Sequence, residues 1–199
     1  MPLAFPSIAT WLAFRADDSE RVARSLRLRT LLPASWSAGL AEIATEGVFV
    51  TPPVRGWVFA VGRDLAVATQ DSTAMEALLC GLSDHYGRVF WFSTDEERDV
   101  HGWAIADRGE LVRGYAYVEE YGHTFWHGEI MPAETALGCF QDDPRDQSDD
   151  QVKWWPDRQV VFALAAAWSL DPSTLGCKAT RQDGGSGDSS PGVGLLGRM

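Results

Sequence analysis

The chain has 199 residues, of which 45% are hydrophobic, so it can bury one good core but is short for two full domains. Its formal net charge of −11 argues against non-specific binding to nucleic acids or anionic membranes, because their phosphates would repel it. Residues 1–60 carry six arginines against five acidic residues, whereas the remainder carries eleven basic against twenty-three acidic residues. The bulk of the protein is therefore acidic.

The N-terminal segment lacks a basic stretch followed by a long apolar run, which argues against a secretory signal. The sequence contains no run of about 18 apolar residues, so no transmembrane helix is predicted. The three cysteines, Cys80, Cys139 and Cys177, are an odd number without CxxC spacing. This pattern is typical of a reduced, cytoplasmic protein, in which we expect Cys80 to be a small buried hydrophobic residue.

The first part of the chain mixes helical and strand patterns. A helix is predicted to begin at Asp18 or Ser19 as its N-cap, and a second helix covers residues 35–44. β-Branched and aromatic residues predict strands at 47–54 and 56–62, and residues 65–69 are expected alongside them in the sheet.

Residues 71–87 carry the clearest helical pattern, with Ser72 as the expected N-cap and Gly87 at the C-terminal end. Four strands follow in series, separated by short polar turns. Strands with such connections form an antiparallel meander. The four predicted strands are 88–93, 100–106, 111–118 and 122–129.

The C-terminal part contains a short helix over residues 131–138 with Pro132 first, a charged loop at 141–150, and a final helix over residues 156–170. Glycine and serine dominate residues 178–199, which predicts a disordered tail after a single domain at 1–177. The fold class is α+β: one antiparallel sheet, mainly the meander, covered on one side by helices.

Two histidines lie in "YGHTFWHGE" (121–129). In a strand, His123 and His127 would share one face with Phe125, about 13 Å apart, which is too far for one zinc ion. Helical spacing would suit a metal, but the glycines and aromatic residues favour a strand. We therefore expect no metal and no cofactor. His101 could join either histidine only through folding.

Acidic residues concentrate in two turns of the predicted meander. One turn connects the predicted strands 88–93 and 100–106 and contains Asp95, Glu96 and Glu97. The other connects the predicted strands 111–118 and 122–129 and contains Glu119 and Glu120. Turns after alternate strands fall at the same end of a meander, so the two clusters should be neighbours. They are either ordinary solvated turns or an anionic face that attracts a basic partner.

The adjacent Trp154 and Trp155 are difficult to bury together, because neighbouring side chains point in different directions. Asp149 and Asp150 lie close by in the sequence. An aromatic pair on an acidic rim suits a protein interface, where tryptophan is enriched among energetic hot spots. The alternative is that one indole joins the core and the other caps the sheet.

Segments such as "SWSAGL", "GVFVTPPVRGWVFAVG" and "AAAWSLDPS" give the chain a resemblance to a group of uncharacterised bacterial proteins from high-GC organisms. The resemblance covers roughly residues 8–172 and implies no catalytic residues. The nucleotide-phosphate motif GxxxxGK[ST] and a GxSxG serine elbow are absent, and GxGxxG occurs only as "GVGLLG" (192–197), in the predicted tail and without a strand before it or a helix after it in the predicted pattern.

The sequence leaves three functions open. The first is a non-catalytic cytoplasmic protein-binding module whose acidic face takes a basic partner, as immunity proteins do. The second is an enzyme that uses His101, His123 or His127 with a carboxylate. The third is a structural or assembly subunit. The sequence does not determine the oligomeric state.

Overall fold

The computed structural model describes residues 5–6, 8–43, 46–69, 71–140, 155–174 and 192–199. The strands found there form one antiparallel sheet, so the predicted α+β fold is confirmed. The strands are β1 (Ile8–Arg15), β2 (Arg29–Ala34), β3 (Val48–Val50), β4 (Trp57–Val61), β5 (Arg88–Asp95), β6 (Val100–Asp107), β7 (Glu110–Val118), β8 (Gly122–His127) and β9 (Gly194–Arg198). The α-helices are α1 (Ser19–Ser25), α2 (Trp36–Glu42), α3 (Ser72–Tyr86), α4 (Pro132–Ala136) and α5 (Arg158–Trp168).

The spatial order of the strands is β2-β9-β3-β4-β1-β5-β6-β7-β8. The meander β5–β8 follows the chain, as predicted. β1 lies between β4 and β5, with Phe14 opposite both Val58 and Val89. The first strand of the chain therefore joins the meander to the group formed by β2, β9, β3 and β4.

Helices cover both faces of the sheet, so the prediction of a one-sided helical layer was wrong. One core contains Leu40 of α2 and Leu164 of α5, and the other contains Val22 of α1 and Met75 of α3. The strands between these layers are buried on both faces; β4 is buried at every position. A continuous apolar run such as "WVFAV" (57–61) is typical of a strand that is covered on both faces, so the sequence did carry a signal for the second helical layer.

The helix ends are close to their predicted positions. Asp18 caps α1 by accepting a hydrogen bond from the Arg21 N–H. Asp71, one residue before the predicted Ser72, caps α3 through the N–H groups of Thr73 and Ala74. An aspartate and a serine are equally suited to the N-cap, which explains the difference of one residue.

The C-terminal residues correct another prediction. We expected residues 178–199 to be disordered, but Gly194–Arg198 form β9, inserted between β2 and β3. Residues 178–191 lie outside the described residues. A Cβ atom at Gly194 would lie 2.5 Å from the Phe49 ring. This glycine is therefore required by close packing rather than being a mark of disorder.

Residues 65–69 were predicted to lie in the sheet, and this was wrong. The segment Arg63–Thr69 instead consists of 3₁₀ turns that are interrupted by a kink at Ala66. Its first turn is closed by the Leu65 N–H, which donates to the Gly62 carbonyl. The Leu65 carbonyl accepts a hydrogen bond from the buried Trp91 indole, so the segment caps the second core. Short apolar runs fit a strand and a buried turn equally well.

Candidate functional site

The two acidic turns lie side by side at one end of the sheet. The β5–β6 turn carries Glu96 and Glu97, and the β7–β8 turn carries Glu119 and Glu120. The Glu119 N–H donates to the Asp99 carbonyl at 3.1 Å, which joins the turns directly. The predicted proximity of the two clusters is confirmed.

These carboxylates have different surroundings. Asp95 accepts hydrogen bonds from the N–H groups of Glu97 and Arg98 and so holds its own turn in shape. Glu96 lies 3.7 Å from Arg158 of α5. The exposed side chains of Glu97, Glu119 and Glu120 form no ion pair with any described residue. Three carboxylates are thus available to a partner.

An exposed tryptophan lies beside these turns. Trp155 is 45% exposed, and its ring stacks on His123 with centroids 6.1 Å apart and an interplanar angle of 10°. Tyr117 contacts the same indole at 5.2 Å. We call this region the acidic–aromatic end, formed by Asp95, Glu96, Glu97, Glu119, Glu120, Tyr121 and Trp155. Of the other predicted members, Asp149, Asp150 and Trp154 lie outside the described residues.

A bulge in β8 determines where its histidines point. Tyr117 pairs with His123 but Ala116 pairs with Phe125, so Thr124 is an extra residue. His123 consequently faces the side of Trp126, and both contact Tyr115. Phe125 packs into the opposite core. The prediction that His123 and Phe125 share a face was wrong, because a bulge interrupts the period-two alternation.

Two histidines share a row across the strands. His101 pairs with Tyr117, which pairs with His123, so all three lie on one face. Two strand spacings put the histidine Cα atoms about 10 Å apart. The His123 Nδ1 is 2.9 Å from the Tyr115 hydroxyl. His127 does not join this row; its Nε2 contacts the Leu111 carbonyl at 2.8 Å.

His101 connects a hydroxyl to a carboxylate. Its Nδ1 is 3.0 Å from Thr94 Oγ1 and its Nε2 is 2.9 Å from Asp99 Oδ1. This order of groups matches that of a hydroxyl nucleophile with its base and orienting acid. Thr94 is only 1% exposed, however, so its hydroxyl cannot meet a substrate. The hydrogen bonds from Thr94 through His101 to Asp99 instead hold the β5–β6 turn against its strands.

Tyr117 of this row and the neighbouring Tyr115 are neutral at physiological pH. Burial raises the pKa of the Tyr117 phenol, and the charges of Asp99 and Glu119 raise this pKa further. Burial also raises the pKa of Tyr115 above its ordinary value. Both side chains therefore present a neutral hydroxyl to the histidine side of the sheet.

A buried ion pair is the main polar feature that sequence reasoning missed. Arg113 Nε donates to both oxygens of Glu134 at 3.0 and 2.9 Å, and both side chains are fully buried. Glu134 also accepts from the Trp103 indole at 2.7 Å and from the Met131 N–H at 2.6 Å. The guanidinium lies over Trp126 at 4.3 Å. The sequence signal for this pair was Arg113, a charged residue at an inward-facing position of β7.

The cysteines differ in burial. Cys80 on α3 is half-buried, contrary to the expectation of full burial, and Cys139 is buried beside α4. Cys177 lies outside the described residues. Burial raises the pKa of Cys139 to about 12, and the nearby Glu134 contributes in the same direction. The Cys139 thiol is therefore protonated and unreactive at neutral pH.

Within the described ranges, no three His, Cys, Asp or Glu side chains come together as a metal site. In the same part of the chain, the helices are too short or too polar to cross a membrane. No protein-family model, curated protein or solved structure matches the chain.

Proposed function

We propose that this protein is a non-catalytic, cytoplasmic protein-binding module whose acidic–aromatic end takes a basic protein partner, in the manner of an immunity protein. The observation that carries the proposal is the exposed Trp155 indole, held on Tyr117 and His123 beside two acidic turns. A large aromatic side chain next to unpaired carboxylates combines a desolvated anchor with charge that selects the partner.

The electrostatic part of the proposed interaction depends on Glu97, Glu119 and Glu120. Binding a partner breaks no ion pair between these exposed carboxylates and a described residue. Their charge accelerates the encounter with a basic surface and disfavours acidic ones. Trp155 then supplies buried apolar area once the surfaces meet.

The test compares three variants in a pull-down from the native host lysate, with proteins identified by mass spectrometry. The triple variant E97Q/E119Q/E120Q removes the three carboxylates. The variant W155A removes the anchor. The matched control E76Q/E110Q/E129Q removes three exposed glutamates elsewhere on the surface.

A basic protein should copurify with the wild type and the control at about 0.05 M salt and dissociate near 0.5 M, where charges are screened within a few ångströms. The triple variant and W155A should each weaken the interaction about tenfold or more, as hot-spot truncations do. Equal capture by the triple variant and its control would refute the acidic–aromatic end as the binding surface.

A further inference from the structure

A positively charged groove lies at the end of the central strands that is opposite to the acidic–aromatic end. The groove has a volume of about 380 Å³, which lies in the range of small-molecule sites. Of the described residues, Arg15, Arg88 and Arg108 surround it, together with a single carboxylate, that of Asp107. This excess of cations is notable in a chain whose formal net charge is −11. The groove is separate from the acidic–aromatic end.

Aromatic rings form the floor of the groove. The Phe90 ring lies between Trp57, at a centroid distance of 5.8 Å, and Trp168, at 6.4 Å. The Phe90 and Trp168 rings are nearly parallel, with an interplanar angle of 22°. Trp168, at the end of α5, is only half-buried and exposes part of its indole. Such a floor suits the stacking of a planar group.

The carboxylate of Asp107 compensates only part of the positive charge around the groove. Arg88 donates to Asp107 through Nε, at 2.9 Å, and through Nη2, and the Nε of Arg108 lies 3.8 Å from the same carboxylate. Arg15 forms no ion pair with any described residue; it donates to the Arg55 carbonyl at 3.2 Å and lies over Trp57 at 4.8 Å. Guanidinium groups held in this way match the oxygens of a carboxylate or a phosphate.

Two hairpin turns at this end depart from the usual turn chemistry in the same way. Each has Arg-Gly at its centre, with φ of 51° at Arg55 and 49° at Arg108. Turns of this kind favour asparagine, aspartate or glycine at the first of these positions. Residues whose backbone conformation is locally unfavourable are concentrated at functional sites. Arg108 lines the groove, and the Arg55 carbonyl holds Arg15 at its rim.

We propose that this groove binds a small planar molecule that carries a carboxylate or a phosphate. The planar body stacks on Trp168 and the adjoining aromatic floor, and the anionic group takes donors from Arg15 and Arg108. The proposal goes beyond the protein-binding function above and is independent of it, since the two regions lie at opposite ends of the strands.

Calorimetric titration of the full chain tests this assignment with phenyl phosphate and benzoate, which distinguish phosphate from carboxylate. Inorganic phosphate and phenol serve as probes of the anionic and planar parts alone. At low salt, phenyl phosphate or benzoate should bind with a dissociation constant of about 1 mM or lower, and more tightly than phosphate or phenol.

The variants R15Q and R108N should each weaken binding of that probe about twofold to fivefold, the range of exposed ion pairs. R98Q is the control, because Arg98 is an exposed arginine in the acidic β5–β6 turn. Asparagine accepts positive φ, so R108N should unfold at the same temperature as the wild type or higher, which separates lost binding from misfolding.

Several results would overturn the proposal. One is the absence of heat with both phenyl phosphate and benzoate. Others are equal affinity for phenol, which removes the anionic requirement, or equal affinity for inorganic phosphate, which removes the planar one. Wild-type affinity in both R15Q and R108N would also contradict it. Failure here leaves the lysate experiment on the acidic–aromatic end unaffected.

Discussion

Two arginine–carboxylate pairs in this protein have the same chemistry in opposite surroundings. Arg113 and Glu134 are fully buried, and the carboxylate accepts four hydrogen bonds. Arg88 and Asp107 join β5 to β6 at the rim of the groove, where the Arg88 side chain is 58% exposed. The first pair ties α4 to the sheet; the second can exchange its partners with solvent or a ligand.

The difference lies in what remains when one partner is removed. A charge that is left in the core has no water to solvate it, whereas a charge at the surface is solvated at once. The buried pair is therefore expected to dominate stability and the exposed pair to affect binding.

The largest effect is expected from E134Q. Glutamine keeps the shape of the side chain but turns an amide N–H₂ toward donor groups and leaves the Arg113 charge uncompensated in the core. The free energy of unfolding should fall by about 3–5 kcal/mol. Urea unfolding followed by circular dichroism measures it, and a loss below about 1 kcal/mol would contradict the assigned role of the pair.

The double variant R113M/E134M should be more stable than E134M alone. Removing both charges avoids the buried, unpaired guanidinium, although the Trp103 and Met131 N–H groups stay without their acceptor. Breaking one side of a buried pair costs several kcal/mol, whereas replacing both sides costs far less. A double-mutant cycle by chemical unfolding tests this; strict additivity would show that the pair is not coupled.

Alkaline pH tests the same buried region through Cys139. Its pKa is about 12 in the folded protein, above the ordinary value of 9.0, because of burial and then the Glu134 charge. The unfolded chain loses this proton first, so the stabilising contribution is complete below pH 9 and is lost toward pH 12. Between these pH values the free energy of unfolding falls by up to about 1.4 kcal/mol per pH unit for one such group.

The variant C139A should make this alkaline loss of stability less steep, as measured by urea unfolding at several pH values. Part of the slope should persist, because burial also raises the pKa of Tyr115. The comparison variant is C80A, at a half-buried cysteine on α3 whose pKa is also raised, by burial and then by the Glu76 charge, so C80A should reduce the slope less than C139A. Identical pH profiles for C139A and the wild type would disprove the contribution of Cys139.

The exposed pair should respond weakly to D107N. The variant leaves Arg88 and Arg108 without their shared carboxylate, but water reaches Arg88 easily. The expected loss is below about 1 kcal/mol. The same variant should tighten phenyl phosphate binding, because it raises the positive charge of the groove. A loss as large as that of E134Q would remove the contrast between the two pairs.

The smallest effect is expected from R55N. Asparagine tolerates the positive φ of 51° better than arginine, so the free energy of unfolding should rise by a few tenths of a kcal/mol. The backbone carbonyl that holds Arg15 is retained. Thermal unfolding measures the change, and a clear loss of stability would show that the Arg55 side chain has a structural partner.

Much of the fold could be read from local patterns. The helix α3 and the meander β5–β8 follow from periodicity and turn residues, and the proximity of the turns at Glu97 and Glu119 follows from the alternation of the meander. The site was predicted less completely. The packing of Trp155 on His123 depends on a bulge at Thr124, and no local pattern announced that bulge.

The amino-acid sequence by itself therefore determined the acidic balance, the α+β class and the positions of the acidic turns, because these depend on composition and on neighbours within a few residues. Only the tertiary structure decided that β9 pairs with β3, that helices cover both faces, that Arg113 meets Glu134, and that three arginines surround one groove. These features join residues that are distant along the chain. Their pairing depends on long-range packing, which local periodicity does not encode.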